Sequence, residues 1–89
     1  MDTVRKHLIF SGYVQGVGFR WRAYHTARSL GLSGWVRNCA DGSVEMEAEG
    51  SEEAIRELVK LLEGYSWAQI DRVQSSRIPV QGGYSFEIL

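Results

Sequence analysis

The chain has 89 residues, is 44% hydrophobic, and carries 10 basic against 11 acidic residues for a formal net charge of -1. That length suits one small domain with its own core, and the even charge balance excludes a broad cationic face for nucleic acid, so an anion site has to be local. One cysteine excludes an internal disulfide, and the polar start at Asp2, Thr3, Arg5, Lys6 and His7 lacks the apolar core of a secretion signal, so a cytoplasmic location without membrane contact is expected.

Residues 6–13 are predicted to form a strand, with Leu8 and Phe10 on one face and His7 and Ile9 on the other. The segment Val14-Gln15-Gly16-Val17-Gly18-Phe19-Arg20 follows and leads into a helix over 19–30. Phe19, Ala23, Ala27 and Leu30 fall on one stripe of that helix, and Gly31 is its expected stop. A second strand over 32–38 contains Trp35 and Val36, and Asp41-Gly42 signals a hairpin. Val44, Met46 and Ala48 then alternate with Glu45, Glu47 and Glu49, which reads as a half-buried strand with a solvated glutamate face. Ser51 is the expected N-cap of a helix running through Glu63, with Glu52 and Glu53 in its first turn and Ala54, Ile55, Leu58, Val59, Leu61 and Leu62 as its apolar stripe. Strands are expected over 69–78 and 84–88, the latter alternating Tyr84, Phe86 and Ile88, with Pro79 and Gly82-Gly83 in the loop between.

The order is βαββαβ with a short extra C-terminal strand. Right-handed crossovers then put both helices on one face of a mainly antiparallel sheet. The expectation is an α/β (α+β) ferredoxin-like sandwich, with residues 1–89 as one domain. That fold serves many functions, so the site has to decide between them.

Two glycines between a strand and a helix allow positive φ and close approach of a ligand to the main chain. Consecutive N–H groups in such a turn converge on an anion, and the helix N-terminus adds donors and a favourable dipole. Arg20 adds a planar cation that matches two phosphate oxygens. The pattern points to a phosphate or carboxylate ligand. Asn38, at a strand end, offers a neutral amide that accepts from a water while donating elsewhere. Structural readings stand beside these: Arg20 as a surface residue, Gly16 and Gly18 as turn formers, Asn38 as a cap on the hairpin. Gly12, Gly34 and Gly50 read as architectural. His7 and His25 lack an acidic or cysteine partner at motif spacing and read as surface residues. Cys39 reads as a small inert residue, and Trp21 and Tyr24 as packing residues on or beside the first helix.

Two stretches resemble the acylphosphatase family. One is Phe10-Ser11-Gly12-Tyr13-Val14-Gln15-Gly16-Val17-Gly18-Phe19-Arg20, where Phe10 replaces a more usual branched aliphatic residue. The other is Gly34, Trp35, Val36, Arg37, Asn38, Gly42, Val44 and Gly50; Cys39 stands where Thr or Leu is common, and Ile88-Leu89 ends the chain where many relatives carry a basic or aromatic residue. The resemblance implies hydrolysis of acyl phosphates, with Arg20 binding the phosphoryl group and Asn38 positioning the attacking water. The N–H groups of Gln15, Gly16, Val17, Gly18 and Phe19 would line the phosphate cradle. It implies a small stand-alone acylphosphatase and a monomer. Inorganic phosphate would be product and inhibitor.

The chemistry is consistent with those parts. The leaving carboxylate has a parent pKa near ~4, so no general acid is needed. A loose phosphoryl-transfer transition state asks mainly for positioning and charge stabilisation. No carboxylate cluster accompanies the loop, so neither a metal nor another cofactor is expected. Competing expectations are a phosphate-binding or nucleic-acid-binding module of the same fold, and a domain of larger hydrogenase-maturation proteins that handle carbamoyl phosphate. RNA binding of that type needs aromatics on a central strand, where this chain has Val44, Met46, Ala48 and three glutamates.

Overall fold

The computed structural model describes residues 2–89, and its elements follow the expected order: β1 (Thr3–Tyr13), α1 (Phe19–Ser29), β2 (Ser33–Asn38), β3 (Val44–Ser51), α2 (Glu52–Glu63), β4 (Gln69–Ile78) and β5 (Phe86–Ile88). The strands form one sheet in the order β4-β1-β3-β2-β5. All pairings are antiparallel except β2 with β5. This is the ferredoxin-like arrangement with an added parallel edge strand.

Period-two alternation gives the sheet two unlike faces. Val4, Leu8 and Phe10 of β1, Val36 of β2, and Val44, Met46 and Ala48 of β3 are buried on one face. Both helices pack there, α1 through Phe19, Ala23 and Ala27, α2 through Ile55, Leu58 and Leu62. Each large side chain buried in this way contributes roughly 1.5–3 kcal/mol. Ser51 caps α2 as expected, its Oγ accepting from the Ala54 N–H at 3.1 Å.

The register departs from expectation at both ends. β1 starts at Thr3 rather than residue 6, because Thr3 pairs with Ser51 and Val4 with Gly50 along the full length of β3. The last strand begins at Phe86 rather than residue 84. Phe86 is buried, whereas Tyr84 is fully exposed in the approach to the strand. At Gly34 only glycine fits: φ is 137°, and a Cβ there would lie 1.9 Å from the Glu47 carbonyl oxygen on β3.

The helix-free face corrects two expectations. The glutamates of β3 are not a solvated row. Glu47 accepts from Arg5 Nε at 2.8 Å, and Glu49 from Arg5 Nη1 at 3.1 Å. His7 does have an acidic partner: its Nε2 lies 2.6 Å from Glu45 Oε2, and Arg37 Nε donates to the same carboxylate at 2.7 Å. Arg5 and Glu49 are both buried, because residues 79–85 cross this face on their way from β4 to β5. The Glu49 carboxylate anchors that strap by accepting from the N–H groups of Gln81 at 2.7 Å and Gly82 at 2.8 Å.

These contacts hold both carboxyls below their usual value of 4.5. For Glu49 the main cause is the Gln81 N–H, with Gly82 and Arg5 adding to it against the opposing push of burial. For Glu45 it is the hydrogen bond to His7, then the Arg37 guanidinium, again against burial. A carboxyl lowered in the folded state contributes stability that is fully present above its unfolded pKa and is lost as pH falls through the folded value. Chemical denaturation is therefore expected to show stability falling from about pH 5 downward. Glu49→Gln should be less stable at pH 7 and lose less on acidification. An acid loss as steep as in the wild type would show that this clamp is not its source.

Candidate functional site

Five residues, Val14 to Gly18, carry the chain from β1 to α1. Both ends of this loop are fixed in the core. Val14 is buried, and the Phe19 ring packs against Phe10 with centroids 5.3 Å apart. Between them Gly16 and Gly18 take φ of 76° and 77°. Gly18 is the N-cap of α1 in the left-handed region and brings no side-chain acceptor to the first turn. Its carbonyl accepts from Arg22 N at 3.0 Å. Among the described residues, no N–H from Gln15 through Gly18 donates to a backbone carbonyl. The loop thus presents donors at the positive end of a helix.

The loop is tied down by its other groups. Gln15 Nε2 donates to the carbonyls of Cys39 at 2.7 Å and Ser43 at 2.9 Å, at the β2–β3 turn. Tyr65, just after α2, donates its hydroxyl to the Val17 carbonyl at 2.8 Å. In the sequence Gln15 stands out only as a backbone donor of the loop, and nothing there marks Tyr65. Both links join residues far apart in the chain, and no local pattern signals them.

Asn38 ends β2 opposite Val44 of β3, two residues from buried Val36, and so belongs to the helix-side face. Arg37, on the other face, is engaged with Glu45. The hairpin closes without the Asn38 carboxamide. Cys39 N donates to Ser43 O at 2.9 Å and Gly42 N to Cys39 O at 3.2 Å. Asp41 Oδ1 accepts from Ser43 N at 3.0 Å and Ser43 Oγ at 2.6 Å. The capping role considered for Asn38 is thus filled by Asp41.

Arg20 is half-buried in the first turn of α1, with Nη1 donating to the Leu89 carbonyl at 3.2 Å. The loop, Arg20 and Asn38 meet at one open cleft of about 310 Å³, lined by Val14, Gly16, Gly18, Phe19, Arg20, Trp21, Asn38 and Ile88. Gln15 and Val17 belong to the same loop without lining the cleft, their side chain and carbonyl being engaged elsewhere. Trp21 packs on α1 against Tyr24 and His25, as expected of a residue on the first helix, but it is 63% exposed and lines the cleft. Tyr24 is half-buried against the core, and His25 is exposed as expected.

A left-handed glycine turn at a helix start, an arginine in the first helical turn and an asparagine at the end of β2 line one cleft of a ferredoxin-like sandwich. The acylphosphatase sequence profile matches residues 6–88. The chain is 50% identical over 80 residues to an acylphosphatase of Bifidobacterium longum, an alignment covering 89% of this chain and 82% of that one. An acylphosphatase structure from Coxiella burnetii superposes with a TM-score of 0.92 at 32% identity, covering 99% of this chain and 94% of the other. Full-length HypF in its phosphate- and nucleotide-bound form contains a similar unit, with a TM-score of 0.88 and 26% identity, covering 99% of this chain but only 12% of that one. The chain belongs to the acylphosphatase family. It is accordingly an enzyme that hydrolyses acyl phosphates.

The Gln15 amide joins the two halves of the cleft, so its loss should be felt in both stability and turnover. Gln15→Ala is expected to cost about 1–3 kcal/mol by chemical denaturation. It should also lower kcat/KM for benzoyl phosphate. Gln15→Glu should cost more than Gln15→Ala, because a carboxylate would then face two carbonyl oxygens. Equal stability of wild type and Gln15→Ala would remove the tether from the account.

Proposed function

We propose that the cleft cleaves the carboxyl–phosphate anhydride bond with water as the nucleophile and without a metal. The observation that carries this reading is that Arg20, the glycine loop and Asn38 line one cleft. The N–H groups from Gln15 to Phe19, with the Arg20 guanidinium, receive the three non-bridging phosphoryl oxygens. Charge that spreads over these oxygens in a loose transition state then meets donors already in place. The Asn38 carboxamide accepts from a water and aims its oxygen at phosphorus, opposite the bridging oxygen.

As the water oxygen bonds to phosphorus, the bond to the bridging oxygen breaks. Its electron pair leaves with the carboxylate. The conjugate acid of that carboxylate has a pKa near ~4, so it departs unprotonated at neutral pH. The proton of the attacking water passes to a phosphoryl oxygen, which makes the substrate its own base. Inorganic phosphate is the product, and on this reading it competes for the same cradle. Both halves of the cleft come from a single chain, which supports action as a monomer. Cytoplasmic residence completes the reading.

Hydrolysis of benzoyl phosphate is expected to persist undiminished in EDTA; loss of activity there would overturn the metal-free step. Arg20→Lys should lower kcat/KM by at least ~10²-fold and weaken inhibition by phosphate, since an ammonium cannot make the two-point contact. Asn38→Ala should lower kcat by about 10²-fold with little change in the phosphate inhibition constant. Near-normal turnover with weakened phosphate inhibition would instead make Asn38 a phosphate ligand.

A further inference from the structure

A phosphoryl group accounts for the polar part of the cleft and leaves Trp21 without a task. A large indole on a small domain is ordinarily buried or bound to something. Trp21 is 63% exposed. Its ring is nevertheless held in place. The His25 ring meets it edge-on with centroids 4.1 Å apart, and Tyr24 stacks beside it at 6.2 Å. These are its i+4 and i+3 neighbours on α1, the positions whose side chains meet on a helix surface. Tyr24 is fixed in turn by Arg28, whose Nη1 donates to the Tyr24 hydroxyl at 2.7 Å. Helical side chains lean toward the N-terminus, which for Trp21 is the glycine loop. Ile88 of β5, 39% exposed, lines the same cleft.

In an acyl phosphate only the bridging oxygen separates phosphorus from the acyl carbon. A phosphoryl group held beside Arg20 therefore leaves the acyl group within reach of the next residue. We propose that Trp21 and Ile88 form an acyl subsite, which makes this enzyme selective for acyl phosphates with a flat or bulky apolar acyl group over acetyl phosphate. This rests on the reading of the cleft as the hydrolytic site. The indole offers a rigid apolar wall, so contact with an aromatic acyl group costs little side-chain entropy.

The test is kcat/KM for benzoyl and acetyl phosphate in wild type, Trp21→Ala, Trp21→Phe and Ile88→Ala, with inorganic phosphate as competitor in each. Comparing the benzoyl-to-acetyl ratio between variants cancels the intrinsic difference between the two leaving groups. The ratio should fall about fivefold in Trp21→Ala, the size of one aromatic contact, with the loss in the KM for benzoyl phosphate. Trp21→Phe should recover most of it, and Ile88→Ala should move it the same way as Trp21→Ala. An unchanged ratio in Trp21→Ala, with phosphate still competing, would overturn the acyl subsite and leave the phosphoryl cradle standing. Failure of phosphate to compete in the wild type would overturn both.

Discussion

A turn that offers its amides to a ligand cannot spend them on itself, yet it must still be rigid. On the proposed function, that constraint governs the segment between β1 and α1. Left-handed conformations at Gly16 and Gly18 turn the N–H groups away from local carbonyls. Rigidity then comes from everything except those amides. Val14 and Phe19 are sunk in the core at either end, Tyr65 holds the Val17 carbonyl, and the Gln15 side chain reaches the next hairpin. On the proposed function, the donors are fixed before the phosphoryl group arrives, so little reorganisation is left for the moment of binding.

The rest of the fold brings the remaining parts to that turn. β3 lies between β1 and β2, so the end of β2 and the end of β1 fall on the same side of the sheet with one strand between them. Asn38 and the loop are thereby neighbours, although nearly twenty residues of chain separate them. Behind the sheet, Glu49, itself paired with Arg5, holds the strap that returns the chain to β5. β5 carries Ile88 to the cleft. Leu89, just beyond it, donates to the Val36 carbonyl at 2.9 Å and accepts from Arg20. The buried charges on the open face thus fix the path of the segment that meets Arg20.

The sequence announces what is local and periodic. Alternation at Val44, Met46 and Ala48, the Asp41-Gly42 turn and the Ser51 cap each depend on residues a few positions apart, and each has its expected place. Arg20, Asn38 and the glycine loop stand out because their residue types repeat a known pattern, and they meet at one cleft. The long-range polar contacts are not legible in that way. Arg5 reaches residues 42 and 44 positions ahead, and to a pattern of alternation a glutamate row with such partners looks the same as a wet one. β1 begins earlier than expected because Thr3 and Arg5 break the apolar rhythm, while the strand is specified by its pairing with β3. Trp21 reads as a packing residue of α1 and does meet Tyr24 and His25 there, but its place at the cleft depends on the loop and on β5, which no local pattern gives.

The central proposal is that the loop amides and Arg20 form one receptor for a phosphoryl group, beside the Asn38 carboxamide that holds the water. It is tested most directly by titrating the ¹⁵N-labelled protein with inorganic phosphate and following its N–H resonances. The largest shifts are expected on the backbone N–H groups of Gln15 to Phe19 and on the Arg20 guanidinium N–H, all with one dissociation constant. Shifts centred elsewhere, for instance at the N-terminus of α2, with the loop unmoved, would contradict it.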